Sequence, residues 1–205
     1  MSAERPGPGE ELNVGDVVKP RLSASLILLR DSADGPEVLL VKRNPEQRFM
    51  GGAWVFPGGA TDADDADERV TAVRELEEEA GIALAPDAEL ARYSRWITPA
   101  QVKVRFDTHF FVTPAPDGAE AHVDGSECVE LAWIRPVEAL AAGEAETMLL
   151  VFPTIKHLEQ LAEHDSVTEA MDAARSRRVM PVQPRVLTDG GVARVVLPGE
   201  PGYDG

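Results

Sequence analysis

Glu75, Glu77, Glu78 and Glu79 fill four of five consecutive positions in the chain. The accompanying Ala72, Val73, Leu76 and Ala80 fall within one arc at the helical period, and Gly81 stands where a left-handed residue closes a helix. On such a helix Glu75 faces both Glu78 and Glu79, and like charges at that spacing repel by about 0.2–0.5 kcal/mol per pair. Glu78 and Glu79 also lie in the last turn, at the negative end of the helix dipole. A local rule broken several times in one turn marks a functional site whose ligand is still to be supplied. Carboxylate oxygens suit a hard divalent cation, Mg²⁺ or Mn²⁺, whose charge turns the repulsion into attraction. The competing reading is compositional. With 36 acidic against 20 basic residues, an acidic solvated helix face can arise without any ligand.

The elements that must position these carboxylates can be read along the chain. Residues 22–29 and 38–42 are apolar runs joined by a turn-rich stretch, and read as two buried strands. A short strand over 53–56 leads into Pro57-Gly58-Gly59, where backbone can approach a ligand closely. After the acidic helix, strands are expected over 89–97, 104–112 and 128–134, with Pro136 opening a helix through Leu140. Ile155, Leu158, Leu161 and Ala162 make an amphipathic helix, and Ser166 with Glu169 forms a capping box for another reaching Ser176. Residues 182–187 and 192–197 read as a closing pair of strands around Asp189-Gly190-Gly191. Strands and helices mixed in this way suggest an α/β/α sandwich with a mixed β-sheet. Residues 1–18 read as a flexible lead-in, 19–152 as the main domain, and 153–205 as an extension packed on it.

Composition narrows the function classes. A formal net charge of −16 argues against nucleic acid or an anionic membrane as partner. No run of about 18 apolar residues suggests a membrane span. The polar N-terminus lacks the apolar stretch of a signal peptide. Cys128, the sole cysteine, suits a reducing compartment, so a cytoplasmic protein is expected. That cysteine reads as a small buried hydrophobe rather than a nucleophile. Trp54 and Trp96 read as core residues, with stacking on an adenine as the alternative. The histidines at 109, 122, 157 and 164 show no metal spacing and read as structural or exposed.

The acidic stretch resembles the Nudix box, G-x5-E-x7-R-E-U-x-E-E-x-G-U. Arg74-Glu75-Leu76-Glu77-Glu78-Glu79-Ala80-Gly81-Ile82 matches its second half throughout. The first half departs from it: fourteen residues separate Gly59 from Arg74 where the box has thirteen, and Asp65 stands in place of the earlier Glu. Upstream, Leu39-Leu40, Arg43, Arg48, Gly52 and Phe56-Pro57-Gly58-Gly59 keep a spacing similar to that of coenzyme A diphosphatases, with Val41 and Asn44 as departures. Trp96-Ile97-Thr98-Pro99 and Arg105-Phe106-Asp107-Thr108 look like the branch that contains the peroxisomal mammalian enzyme.

The resemblance implies a Nudix-like sandwich and a diphosphatase acting on a nucleoside diphosphate linked to another moiety. Coenzyme A or acyl-CoA is the first candidate, with ADP-ribose, NADH or another dinucleotide as alternatives. A non-catalytic ligand-sensing module is the alternative from another class. Glu75, Glu78 and Glu79 would hold the cation, and Arg74 would orient the carboxylates or simply pair with Glu78. Arg43, Arg48, Gly58, Gly59 and Arg105 would bind substrate, with ordinary surface charge the competing role for Arg43 and Arg48. Glu127 or Glu75 would serve as general base, and solvent exposure is the competing reading for Glu127. The expected partner is a small nucleotide substrate, and a homodimer is left open.

Overall fold

Residues 12–13, 15–189 and 192–203 are described by the computed structural model. Most of the expected lead-in (1–11 and 14), and Gly190 and Gly191 of the expected closing turn, lie outside them. Strand β1 (Arg21–Ser32) runs through the centre of the sheet because its residues are apolar toward both faces. Ala24, Leu26 and Leu28 enter one core cluster, and Ile27 and Leu29 the other. Strands β2 (Gly35–Arg43), β3 (Trp54–Val55) and β4 (Gly58–Ala60) follow, then helix α1 (Glu68–Ala80). Next come β5 (Ala91–Ile97), β6 (Phe106–Pro114), β7 (Cys128–Ile134), α2 (Pro136–Glu144), α3 (Phe152–Leu161) and α4 (Val167–Ser176). Strands β8 (Pro181–Val182), β9 (Arg185–Asp189) and β10 (Val192–Val196) complete the order.

The main sheet runs β3-β2-β1-β6-β5-β8, with β4 also pairing with β1 and β7 with β2. β1 is parallel to β6 and antiparallel to β2 and β4, so the sheet is mixed. Helix α1 covers one face through Ala72, Leu76 and Ala80. The opposite face is covered by Ala139 of α2, Leu158 and Leu161 of α3, and Ala170, Met171 and Ala174 of α4. The arrangement is the α/β/α sandwich read from the sequence. No helix among the described residues is long and apolar enough to cross a membrane.

Two elements depart from expectation. β4 has no apolar alternation to announce it, since two of its three residues are glycine. Residues 182–187, expected as one strand, are two: β8 pairs with β5 and β9 pairs with β10. Pro184 lies between them and has no N–H to donate to a ladder, which ends the first pairing.

Candidate active site

Helix α1 carries the acidic stretch. Asp67 caps its N-terminus, accepting from the N–H groups of Arg69 and Val70, and Gly81 closes it at φ 66° while donating to Glu77 O. The cluster divides by exposure. Glu75 and Glu79 are 8% and 2% exposed, whereas Glu77 and Glu78 face solvent. A fully solvated acidic face would not bury two of its carboxylates, so composition alone does not account for the cluster.

Three neighbours hold the carboxylates in place. The Gly58 N–H donates to Glu79 Oε2 at 2.9 Å. Gly59 leaves room for the Glu75 carboxylate, since a Cβ there would lie 2.5 Å from Glu75 Cδ. Arg74 Nη1 donates to both Glu75 Oε1 and Glu78 Oε2 at 2.8 Å, so the orienting role and the i,i+4 pair coexist. The other edge of the same guanidinium rests on Asp65 and on Ala60 O. Asp65, the departure from the box, therefore braces the arginine that positions the glutamates.

Burial makes these charges costly. It pushes the Glu79 carboxyl up to about 7 against the Gly58 N–H, and Glu75 adds to the rise. Burial also raises Glu75; Arg74 opposes the rise, while Glu78 and Glu127 add to it. Among the described residues no three His, Cys, Asp or Glu side chains stand together as a finished ligand set. The donor chemistry nonetheless fits a hard cation. Buried Glu75 and Glu79 repel each other, and Arg74, the Gly58 N–H, the charge of Arg43 and the Cys128 thiol offset their burial only in part.

The cavity above them, about 1060 Å³, is lined by Glu75, Glu79, Gly58, Gly59, Arg43 and Glu127 at one end. Its volume is at the top of the usual range of about 300–1,000 Å³ for small-molecule sites. Arg43 bonds Gln47 through Nη2, while its Nε is buried without a hydrogen-bond partner. Arg43 lines the cavity, so its guanidinium charge is presented to an anionic ligand there. Glu127 is fixed through its backbone: Asp124 accepts from the N–H groups of Ser126, Glu127 and Cys128, and Glu127 O accepts from Asn44 N–H at 2.8 Å. Burial pulls Asp124 upward, but these N–H groups and the Ser126 hydroxyl outweigh it and hold its carboxyl near about 2. Two non-glycine residues with left-handed backbone, Met50 (φ 53°) and Glu146 (φ 58°), also line the cavity. Such conformations cost about 1–3 kcal/mol and concentrate at ligand sites.

Other expected site residues lie elsewhere. Arg105 is 6% exposed and spends its guanidinium on Thr98 O and Val18 O. It ties the β5–β6 connection to the N-terminal segment and is not on the cavity wall, which corrects its expected role toward substrate. Arg48 is exposed and is likewise off the wall. Cys128 is buried beside Glu79, and burial pushes its thiol upward, as suits an inert small side chain. Trp54 and Trp96 are both core residues, and Trp96 also faces the cavity. Sequence reading missed the wall contributed by 149–155 and by β9 and β10, because only long-range packing brings these segments to the site.

Residues 19–154 match the NUDIX domain family, and the chain belongs to it. The Caenorhabditis elegans protein named nudix hydrolase 7 is 30% identical over 73% of this chain and 63% of its own length. Nudix hydrolase 15, mitochondrial, of Arabidopsis thaliana is 41% identical over 33% of this chain and 24% of its own. The chain thus spans less than two thirds of either curated relative. The crystal structure of a NUDIX hydrolase from Alicyclobacillus acidocaldarius superposes with a TM-score of 0.69 at 28% identity, covering 75% of this chain and 96% of that one.

Proposed function

We propose that the chain is a divalent-cation-dependent hydrolase that splits the diphosphate bridge of a nucleoside diphosphate linked to another moiety, with coenzyme A or acyl-CoA as first candidate. The observation that carries this reading is the placement of buried Glu75 and Glu79 against Gly58 and Gly59 on one cavity with Arg43. Glu75, Glu78 and Glu79 would hold Mg²⁺ or Mn²⁺, which when bound neutralises phosphate charge and lowers the pKa of an attacking water. Arg43 presents its guanidinium charge to a phosphate oxygen in the cavity. Arg74 keeps Glu75 and Glu78 oriented from its brace on Asp65. Glu127, on the cavity wall and held by its loop, takes the proton from water, with Glu75 as the alternative base.

Coenzyme A is favoured over ADP-ribose or NADH by the spacing that joins Arg43, Arg48 and Phe56-Pro57-Gly58-Gly59. The test is a panel of diphosphates incubated with Mg²⁺ or Mn²⁺ and read by product mass. Release of 3′,5′-ADP and 4′-phosphopantetheine from coenzyme A is the expected result. Cleavage of ADP-ribose or NADH with coenzyme A and acyl-CoAs untouched would reject the substrate. Binding without cleavage of any member would favour a ligand-sensing module.

A further inference from the structure

The cavity does not end at the carboxylates. Following the strand register outward from Gly59, the paired positions are Ala24, His109, Arg95 and Pro181. These are four strand spacings, or roughly 19 Å at about 4.8 Å each. At that far side Trp96 pairs with Val182 of β8 and its ring lies 6.1 Å from that of Phe152, and both rings line the cavity together with Ile155, Val186 and Val195. Val186 and Val195 are direct cross-strand partners on β9 and β10, so they present one apolar face together. Both lie beyond the residues matched to the family. The strand pair is held by Tyr203, whose hydroxyl donates to Gln183 O at 2.8 Å and whose ring lies 5.1 Å from the Arg185 guanidinium.

We infer that Val186 and Val195, with Phe152 and Ile155, are specificity-determining residues that seat an aliphatic chain at the distal end of the substrate. The inference rests on the reading above that the substrate is coenzyme A or its thioesters. Three backbone bonds advance about 3.3–3.6 Å when extended, so the dozen or so bonds from the diphosphate of coenzyme A to its sulfur reach roughly 15 Å. A diphosphate seated through the cation that Glu75 and Glu79 would hold therefore delivers the thioester to the apolar wall. Free coenzyme A would leave that wall facing water, whereas a medium-length acyl chain would cover it.

The experiment compares free, acetyl-, butyryl- and octanoyl-coenzyme A as substrates with Mn²⁺, in the full chain and in Val186→Thr with Val195→Thr. Each buried methylene can contribute up to about fourfold in affinity. We expect octanoyl- over acetyl-coenzyme A to gain at least ~10-fold in kcat/KM, and the double variant to lose most of that ratio. Threonine keeps the β-branched shape that suits a strand, so the strand pair should persist. A second measurement needs no variant: calorimetric binding of the same series to the metal-free wild-type protein, in which Kd should tighten with chain length. Coenzyme A cleaved equally at every chain length, with flat binding, overturns the inference and leaves the proposed function standing. Failure to cleave any member, free coenzyme A included, rejects the proposed substrate and the inference together.

Discussion

Arg74 sets Nε and Nη2 on the two carboxylate oxygens of Asp65, at 3.2 and 2.9 Å, while its Nη1 serves Glu75 and Glu78. One guanidinium thus joins the loop before α1 to the helix that carries Glu75, Glu78 and Glu79. Asp65 is held well below the usual carboxylate range, first by Arg74 and then by the Asp62 N–H. Asp65→Asn removes the charge but keeps the shape, so Arg74 should loosen and the glutamates lose their orientation. The expected outcome is a ~10-fold fall in kcat with KM within about twofold. Wild-type kcat in this variant would show that the brace is dispensable.

Gly58 and Gly59 should respond differently to the same change. A Cβ on Gly58 meets backbone, 2.5 Å from Ala24 O and 2.7 Å from Ser25 Cα, so Gly58→Ala must move β1 or β4. A loss of about 1–3 kcal/mol in denaturant unfolding is expected. The three atoms nearest a Cβ on Gly59 all belong to the Glu75 carboxylate, which can swing aside. Gly59→Ala should therefore keep its stability to within about 0.5 kcal/mol while turnover falls ~10²-fold. Equal stability losses in the two variants would contradict this division.

A cation held by the buried carboxylates, as proposed, should stabilise the native state. Millimolar Mg²⁺ or Mn²⁺ should raise Tm, by an amount equivalent to about 2.7 kcal/mol at a hundred times Kd. Glu75→Gln combined with Glu79→Gln should abolish that rise and make the metal-free protein no less stable, because repulsion and desolvation are relieved together. Scanning calorimetry with and without chelator measures both. A marked loss of metal-free stability would mean that these glutamates are structural partners instead.

His157 of α3 supplies a pH dependence away from the carboxylates. It is fully buried among Phe56, Tyr93, Trp96 and Phe110, and its Nε2 lies 2.6 Å from Ser94 Oγ. Burial, helped by the positive charge of Arg177, lowers its pKa from 6.5 to about 3. The unfolded chain then binds this proton more readily than the folded one. Its contribution to stability is complete above pH 6.5 and is lost as pH falls toward 3, at up to about 1.4 kcal/mol per pH unit. Unfolding free energy measured from pH 7 to 4 should fall less steeply in His157→Gln than in wild type. Parallel slopes would place the pH sensitivity elsewhere.

Local rules were enough for much of this protein. The helix over the acidic stretch follows from apolar spacing and Gly81, and the central strands follow from apolar runs such as 22–29. The mutual repulsion of Glu75, Glu78 and Glu79 is legible because it depends only on neighbours along one helix. Tertiary structure decided the rest. It buried Glu75 and Glu79 but left Glu78 exposed, set Asp65 under Arg74, and turned Arg105 toward Thr98 O and Val18 O. It also brought Val186 and Val195 into one cavity with Gly59. Periodicity along a chain reports which face of an element is apolar, whereas the partner of that face is set by packing between segments that stand far apart in the sequence. Which carboxylate is desolvated, which guanidinium is consumed by backbone and what closes the far end of a cavity are all properties of that packing.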